Sequence, residues 1–293
     1  MDNVNETASR HCRFLNDDCF AMLYEAFIEA FSDYVFPFAL TEPQFRNHII
    51  LNGVDLNLTV GCIDGGKLIG FSLNGFGLWE GKPTVYDAGT GVIPAYRRQG
   101  VSDAMFDMML PTFAKNGAEQ FLLEVVTSNA GAISLYEKLG FQTVRELALL
   151  QRDGKINATV NMPHDLEIRE ITQPDWELFV TFGEGKPSWQ NSIEAVNRST
   201  AMKKILGAFV AGKCVGYIVF SSHFGRITQI AIDKSHRNQG IGTMLVEKMQ
   251  DETADGYSLQ VINIDKSLGE AMHFFTKRGF YERLSQYEMV KTM

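Results

Sequence analysis

Positive charge is scarce in this sequence. Its 293 residues include 27 lysines and arginines against 35 aspartates and glutamates, so the formal net charge is −8 at pH 7. Nucleic acids and anionic membrane surfaces bind basic proteins, and this balance therefore argues against both as partners. A cationic partner such as an amine fits the charge better, although many acidic proteins are acidic for solubility alone.

Cysteine is also rare, and its pattern excludes the common cysteine-based sites. Cys12, Cys19, Cys62 and Cys214 are the four present, and no two of them form a C-x-x-C pair. We therefore expect reduced thiols in a cytoplasmic protein. The six histidines are scattered without an H-x-x-x-H pair or a cysteine at ligand spacing, so we predict no metal site.

Long apolar runs are missing as well. No run reaches the length of a membrane span, and the polar first ten residues lack the apolar core of a signal peptide, so we expect no membrane partner. Hydrophobic residues make up 45% of the chain and charged residues 21%, as in a globular protein, and the length suits two domains.

What is present includes an unusual stretch, "GVIPAYRRQGVSDAMFDMML", at residues 91–110. It predicts a strand, a tight basic turn over residues 97–100, and a helix whose apolar residues share one face. The first N–H groups of a helix lack partners within it and carry the positive end of its dipole, and a glycine lets the backbone approach a ligand. The stretch is either a phosphate-binding turn or an ordinary connection.

The same pattern occurs a second time. "IAIDKSHRNQGIGTMLVEKM" at residues 230–249 repeats the strand, the basic turn, the glycine and the helix. Further along, "NAGAISLYEKLGF" at 129–141 is matched by "LGEAMHFFTKRGF" at 268–280. The glycine of the turn precedes the last phenylalanine by 41 positions in the first copy and by 40 in the second. Two motifs recurring in the same order at nearly equal distance indicate a duplicated domain.

Both motifs resemble those of the GNAT superfamily of N-acetyltransferases. Its pyrophosphate loop has an arginine or glutamine, two residues, a glycine, one residue, and a glycine or alanine. Its later motif, Asn-x-x-Ala-x-x-Leu-Tyr-x-Lys-x-Gly-Phe, is matched at every named place by residues 129–141. The resemblance covers nearly the whole chain. It implies an α/β (α+β) protein with two consecutive GNAT-like domains. Each would be a mixed, mostly antiparallel sheet with a splayed central parallel strand pair and flanking helices.

The repeat also predicts where the domains lie. We expect a catalytic GNAT-like domain at residues 1–152, a polar linker at 153–165, and a second GNAT-like domain at 166–293. The second half is shorter and lacks the aromatic loop "FSDYVFPFALTEPQF" of the first. That loop is either a packed connection or, as the resemblance implies, a wall of the acceptor site, and Asp33 and Tyr34 carry both possibilities.

The resemblance implies acetyl-CoA as the co-substrate. Its pantetheine arm would lie between the diverging strands and bond to backbone near Val92, and its pyrophosphate would lie on the amides of about Arg98 to Ser102. Ser102 departs from the glycine or alanine of the superfamily, but its hydroxyl can donate to phosphate. The predicted cofactor-binding residues are Val92, Arg97, Arg98, Gln99, Gly100, Val101, Ser102, Asp103 and Asn129.

The resemblance also implies the chemistry, in which an amine attacks the thioester directly. Tyr136 would protonate the leaving thiolate, although it could also be a core tyrosine. Asn129 would contact the pantetheine, or cap its helix, or do both. An alkylammonium group must lose a proton before it can attack, and Glu124 and Asp87 are the candidate bases. We favour Glu124, five residues before Asn129, while either carboxylate could be structural.

The second half is predicted to support the first. Counting back from the shared Gly-Phe pair, Tyr136 falls on Phe275 and Glu124 falls on Asn263, so both chemical groups are replaced. Asn129 falls on Leu268 in the same way. Two alternatives stay open: the second half is the active one, since its loop "RNQGIG" is the fuller match, or the chain binds acyl-CoA without catalysis. The acceptor, a small-molecule or peptide amine, and the oligomeric state are unassigned.

Overall fold

The computed structural model describes residues 10–34, 40–156 and 162–293. Its strands are β1 (His11–Phe14), β2 (Val60–Asp64), β3 (Lys67–Trp79), β4 (Lys82–Val92), β5 (Gln120–Val126), β6 (Gln142–Arg152), β7 (Glu167–Glu170), β8 (Lys204–Val210), β9 (Lys213–Ser221), β10 (Arg226–Ile232), β11 (Leu259–Asp265) and β12 (Tyr281–Thr292). Its α-helices are α1 (Phe20–Ala30), α2 (Glu42–Asn52), α3 (Val101–Lys115), α4 (Ala130–Lys138), α5 (Trp176–Phe182), α6 (Ile193–Arg198), α7 (Ile241–Asp251) and α8 (Gly269–Thr276). Within the described ranges, no helix combines the length and the apolar character needed to span a bilayer.

The chain divides into two compact units. The first contains the residues up to Glu124, together with Tyr136–Gln142 and Met289–Met293. The second contains Val125–Leu135 and Thr143–Glu288. Each unit contains a set of paired strands with flanking helices, as predicted from the repeat.

The first five strands pair in the order β1-β2-β3-β4-β5 in the first unit. Strands β1 to β4 pair antiparallel, and β4 pairs parallel with β5. On one face, Phe27 of α1 lies 4.7 Å from Phe45 of α2 and 5.8 Å from Phe71 of β3, measured between ring centroids. On the other face, Phe106 of α3 lies 6.1 Å from Phe121 of β5. The sheet therefore has a core on both sides.

Two irregularities in β4 shape the middle of this sheet. The ladder between β4 and β5 ends where Asp87 lies opposite Leu123, although β4 continues to Val92. In the pairing with β3, Asp87 and Gly89 lie opposite consecutive residues, so Ala88 is an extra residue and forms a bulge. The predicted splayed parallel pair is thus present, and the bulge lies at the point where the strands separate.

The second unit repeats this plan. Its strand order is β7-β8-β9-β10-β11-β6, with β6 also next to β12. The parallel ladder of β10 and β11 ends where Ile227 lies opposite Val261, and Thr228 is the bulged residue of β10. Its core includes Phe220, Leu245 and Phe275 of β9, α7 and α8.

The end of each sequence repeat contributes to the opposite unit. Strand β6 follows the first repeat along the chain, but it pairs antiparallel with β11, for example Leu150 opposite Val261, in the second unit. The last residues of the chain belong to the first unit, where the amide of Met293 donates to the carbonyl oxygen of Glu119 at 2.9 Å. The two repeats in the sequence and the two compact units therefore differ at their ends.

Several sequence expectations need correction or completion. Cys12 and Cys62, expected as reduced thiols, form a disulfide, because β1 and β2 place them directly opposite each other. Strand β1 itself was not predicted, since four residues are too few to show an alternating pattern. The predicted strand over 56–63 begins at Val60. Residues 1–9, part of the aromatic loop (35–39) and part of the linker (157–161) lie outside the described residues.

Candidate active site

The turn between β4 and α3 adopts the backbone shape that the phosphate-loop hypothesis needs. Arg98 and Gly100 both have left-handed backbones, with φ of 58° and 74°. A Cβ added to Gly100 would meet no atom within 4 Å, so the space over the backbone is open. Within the described residues no side chain caps α3, and its first intrahelical bond runs from the Ala104 amide to the Gly100 carbonyl. Its preceding N–H groups can therefore receive an anion.

Arg97 holds the turn in place through three groups of the first unit. Its Nε donates to the Val92 carbonyl at 3.1 Å, and its Nη2 donates to the Ala30 carbonyl at the end of α1 at 2.9 Å. Its guanidinium also forms a bidentate pair with Asp33 at 2.6 and 2.7 Å. The hydrogen bond with Arg97 is the main cause that lowers the pKa of Asp33. Both residues thus have a structural role in the turn.

The corresponding turn of the second unit is built in the same way. Arg237 donates to the Ile232 carbonyl at 3.2 Å, to the Phe182 carbonyl at 3.0 Å and to Glu184 at 2.9 Å. Asn238 and Gly240 have left-handed backbones, with φ of 61° and 78°. The shared arginine and glycine are therefore explained by the shape of the turn itself.

The other predicted loop residues have distinct surroundings. The side-chain amide of Gln99 donates to the Ala95 carbonyl at 2.9 Å, and Asp103 forms an ion pair with Lys138 at 2.7 Å. The side chain of Val101 is buried, that of Ser102 is half-buried and that of Arg98 is exposed. Backbone amides, rather than side-chain charges, are thus the main candidates for phosphate contact.

Tyr136 of α4 lies in a buried polar cluster of the first unit. Its ring packs edge-on against Phe106 at 6.0 Å and is 7% exposed. Burial raises the pKa of Tyr136 well above its ordinary value. The charge of Asp87 raises this pKa further, as does the electrostatic interaction with Tyr34. A hydrogen bond with Thr90 lowers it. The phenol therefore keeps its proton at neutral pH and has it available for transfer.

Asp87 is the charged member of this cluster and is 6% exposed. One carboxylate oxygen accepts from the Gly89 amide at 2.8 Å, and the other accepts from the Thr90 hydroxyl at 2.7 Å. The hydroxyls of Thr90 and Ser72 lie 3.0 Å apart. Asp87 and Thr90 are three residues apart, and the bulge at Ala88 lets them share one face of the sheet.

Burial raises the pKa of Asp87 to about 6, although its hydrogen bonds with Thr90 and the Gly89 amide lower it. The folded protein therefore binds this proton more tightly than the unfolded chain does. Wild-type stability should fall as the pH rises from about 4 to about 6, by up to about 3 kcal/mol. An Asp87→Asn variant cannot ionise there, so its melting temperature relative to wild type should be higher at pH 7.5 than at pH 4. Calorimetric melting of both proteins at the two pH values tests this, and an equal difference at both would contradict it.

The second candidate carboxylate lies on the opposite face. Glu124 of β5 accepts a hydrogen bond from the phenol of Tyr86 on β4. Side chains alternate along a strand, so Tyr86 and Glu124 point away from the face that carries Asp87. On this opposite face α2 reaches the bulge, where Nε2 of His48 donates to the Ala88 carbonyl at 2.9 Å. The structure therefore separates the two candidate bases: Asp87 is grouped with Tyr136 and Glu124 is not.

Two further predicted residues can be placed. The side-chain oxygen of Asn129 accepts from the Ala132 amide at 3.2 Å, which is the helix-capping contact anticipated for it. Tyr34 interacts electrostatically with Tyr136, whereas its neighbour Asp33 pairs with Arg97. Thr90 and Ser72 were not predicted from the sequence. Asp87 and Thr90 are polar residues three positions apart on one strand, and regular alternation would place them on opposite faces. A bulge between them would place both on the same face, and this possibility could have pointed to Thr90.

The second unit lacks this polar cluster. The bulges provide the alignment, since Thr228 in β10 lies at the place of Ala88 in β4. At the matched positions every polar residue of the cluster is replaced by an apolar one of the second unit's core. The residues Ser72, Asp87, Thr90 and Tyr136 correspond in that order to Ile218, Ile227, Ile230 and Phe275.

The gap between β10 and β11 is also bridged. The side-chain NH2 of Asn191 donates to the Ile262 carbonyl of β11, and the backbone carbonyl of Asn191 accepts from the side-chain amide of Gln229 on β10, both at 2.5 Å. The parallel register further places Ile262, rather than Asn263, at the position of Glu124, because Asn263 sits at an irregularity with φ of 57°. Neither residue is a carboxylate, so the second unit has no base there.

A metal centre is not indicated by the residues that the structure describes, since they contain no group of three or more His, Cys, Asp or Glu side chains that could hold an ion. The open backbone of the turn and the diverging strands leave room for an extended molecule that carries phosphate groups.

Comparison with known families identifies both halves. The model described as "Acetyltransferase (GNAT) family" matches residues 20–141, and the model described as "Acetyltransferase (GNAT) domain" matches residues 204–282. Among curated proteins, the [ribosomal protein bS18]-alanine N-acetyltransferase of Escherichia coli K12 is 39% identical over 71 residues, which are 24% of this chain and 48% of that protein. The N-alpha-acetyltransferase of Sulfurisphaera tokodaii is 32% identical over 99 residues, or 31% of this chain and 59% of that protein. The chain thus spans about half the length of these relatives.

Solved structures resemble the chain over nearly its whole length. A putative acetyltransferase from Pyrococcus horikoshii has a TM-score of 0.71 at 13% identity, covering 100% of this chain and 92% of its own. A tandem GNAT protein from the clavulanic acid biosynthesis pathway has a TM-score of 0.70 at 14% identity, covering 97% and 98%. At these identities the likeness concerns the fold alone.

Proposed function

Because the chain belongs to the GNAT superfamily of N-acetyltransferases and carries two such domains in tandem, we propose that its first domain transfers an acetyl group from acetyl-CoA to a primary amine. The observation that carries this proposal is the buried cluster of Asp87, Thr90 and Tyr136, which occurs at one of the two splayed strand pairs and is apolar at the other. A buried polar cluster destabilises a core unless it is satisfied or used, so its retention in one copy favours a chemical role there.

Acetyl-CoA supplies an acetyl group activated as a thioester, and the CoA thiol is the leaving group. The amides of about Arg98 to Ser102 would bind the pyrophosphate, since the backbone there is left-handed and open. Strands β4 and β5 are not paired beyond Asp87 and Leu123 in the described residues. Amides of β4 that face this gap, near Val92, would therefore bind the pantetheine arm. In this arrangement Arg97 shapes the loop through Asp33 and does not contact phosphate.

The two proton-transfer roles would fall to residues on opposite faces of the sheet. Tyr136 would donate its proton to the departing thiolate, since it is buried and keeps that proton at neutral pH. Glu124 would take a proton from the incoming ammonium, because it lies on the face that α1 and α2 cover and away from Tyr136. Acid and base are then separated by the gap in which the thioester would lie.

The acceptor is proposed by class alone. The two curated relatives are named for acetylation of an alanine of a ribosomal protein and of N-alpha amines. A peptide or small-molecule primary amine also suits the net charge of −8. The full-length protein should therefore be assayed with acetyl-CoA against a panel of peptides with free N-termini, amino acids and polyamines. If no amine accelerates thiol release, the enzymatic proposal fails, and calorimetric binding of CoA would then favour a non-catalytic acyl-CoA-binding protein.

With the best acceptor of the panel, Glu124→Gln should lower kcat/KM and make it rise more steeply with pH, because the amine must then lose its proton without the carboxylate. The expected loss is about a hundredfold at neutral pH and smaller at high pH, where more of the amine is neutral. Initial rates between pH 6 and 9.5 measure this. A lowered melting temperature with an unchanged pH profile would assign Glu124 a structural role instead.

A further inference from the structure

A chain of hydrogen-bonding groups runs from Tyr136 into the core of the first unit. The phenol interacts with the Thr90 hydroxyl, which lies 2.7 Å from Oδ2 of Asp87 and 3.0 Å from the hydroxyl of Ser72. Thr90 has one hydroxyl proton and can donate it to one partner at a time. When Asp87 is ionised the carboxylate takes that hydrogen bond. When Asp87 is protonated it can donate to Thr90 instead, and the Thr90 proton becomes available to the phenol.

We propose that Thr90 and Asp87 return a proton to Tyr136 after each transfer, with Thr90 as the relay and Asp87 as the proton store. This inference rests on the proposed acetyl transfer by the first domain. In it Tyr136 is the catalytic residue, while Thr90 and Asp87 are positioning residues that act through it.

The protons balance at each step. The O–H bond of Tyr136 breaks as an S–H bond forms on the departing thiol, which leaves a phenolate. The hydroxyl proton of Thr90 then passes to that phenolate, and the Thr90 oxygen receives the proton of the Asp87 carboxyl group. Asp87 remains as a carboxylate and is reprotonated from the solvent before the next turnover. The amine releases two protons as it becomes an amide, so one replaces the proton given to the thiol and one stays in solution.

Three observations support a relay over simple packing. First, the bulge at Ala88 is present in both units, so the backbone shape does not require Asp87 or Thr90, and isoleucines occupy their places in the second unit. Second, Asp87 is 6% exposed, its carboxylate oxygens accept from the Gly89 amide and the Thr90 hydroxyl, and its charge acts on the phenol of Tyr136. Third, its pKa of about 6 lets a fraction of the group hold a proton near neutral pH.

The test compares Thr90→Val, Thr90→Ser and Asp87→Asn in the full-length protein, using acetyl-CoA and the best amine. Thr90→Val removes the hydroxyl and Asp87→Asn removes the transferable proton, so each should lower kcat at least about tenfold with the KM for acetyl-CoA changed less than about twofold. Thr90→Ser should keep most of the activity. The control is Thr84→Val, which removes another buried hydroxyl of β4 that bonds Gln120 and the Lys82 carbonyl. It should lower the melting temperature and leave kcat within about twofold.

Unchanged kcat in Thr90→Val, or an equal loss in Thr90→Ser, would overturn the relay. A second readout does not depend on activity. The ¹³Cζ resonance of Tyr136, assigned with Tyr136→Phe, should show a titration step near pH 6 that is absent in Asp87→Asn. If no amine is acetylated and the step is found, the proposed function fails while the coupling of Asp87 to Tyr136 stands. If acetylation is found without the step, the relay fails and the function stands.

Discussion

A Tyr136→Phe variant should transfer acetyl groups at least about a hundredfold more slowly than wild type while binding acetyl-CoA almost equally well. The change removes one hydroxyl from a ring that packs against Phe106 and Phe141, so the fold is preserved. Without that hydroxyl the thiolate must leave unprotonated or take a proton from water, and general acid catalysis of this kind typically contributes a factor of about 10² to 10⁴. Steady-state kcat and KM with acetyl-CoA, together with the melting temperature, measure the effect.

Tyr217→Phe is the matched control, because this tyrosine of the second unit is also 7% exposed and loses a comparable hydrogen bond, that with Gln229. It should leave kcat unchanged. An unchanged kcat in Tyr136→Phe, measured where the chemical step limits the rate, would remove Tyr136 from the mechanism.

Gly100→Val should abolish acetyl transfer, whereas Gly240→Val should leave it nearly intact. Both glycines precede a helix with φ near +75°, so a valine strains the backbone to a similar degree at either place. At Gly100 the valine side chain would also enter the open space where the backbone would meet pyrophosphate. We expect acetyl-CoA affinity to fall at least about tenfold in the Gly100 variant alone, as measured by calorimetry on the full-length protein.

Both variants must first be shown to be folded by their melting curves. The opposite outcome, in which Gly240→Val loses activity and Gly100→Val keeps it, would show that the second domain is the active one. Equal loss in both variants would contradict the assignment of a single active domain.

The sequence was sufficient for the repeated fold because its signals are local. A glycine after a basic turn and an apolar helical face predict a strand–turn–helix unit wherever they occur, and both copies have it, at Gly100 and at Gly240. The sequence also offered a core position as one of two interpretations of Tyr136, and its ring is 7% exposed. These predictions depend on neighbours along the chain, which a single sequence displays directly.

What the sequence could not reveal depends on strand pairing. The bulge at Ala88 brings Asp87 and Thr90 to one face, and a pattern that assumes strict alternation places them on opposite faces. The disulfide of Cys12 and Cys62 depends in the same way on the register of β1 with β2. For the same reason the sequence named both Asp87 and Glu124 as candidate bases and favoured Glu124, without showing that they lie on different faces of the sheet.

The last residues of each sequence repeat belong to the other compact unit, and this affects how the protein can be truncated. A gene truncated after residue 152 would encode a polypeptide that lacks Met289–Met293 of its own unit and carries β6 without the strand β11 that pairs with it. Removal of the second copy would therefore also remove Met289–Met293, which belong to the unit that carries the polar cluster. Either half expressed alone would lack segments of its own compact unit, so variants of the full-length protein are the sound way to compare the two halves.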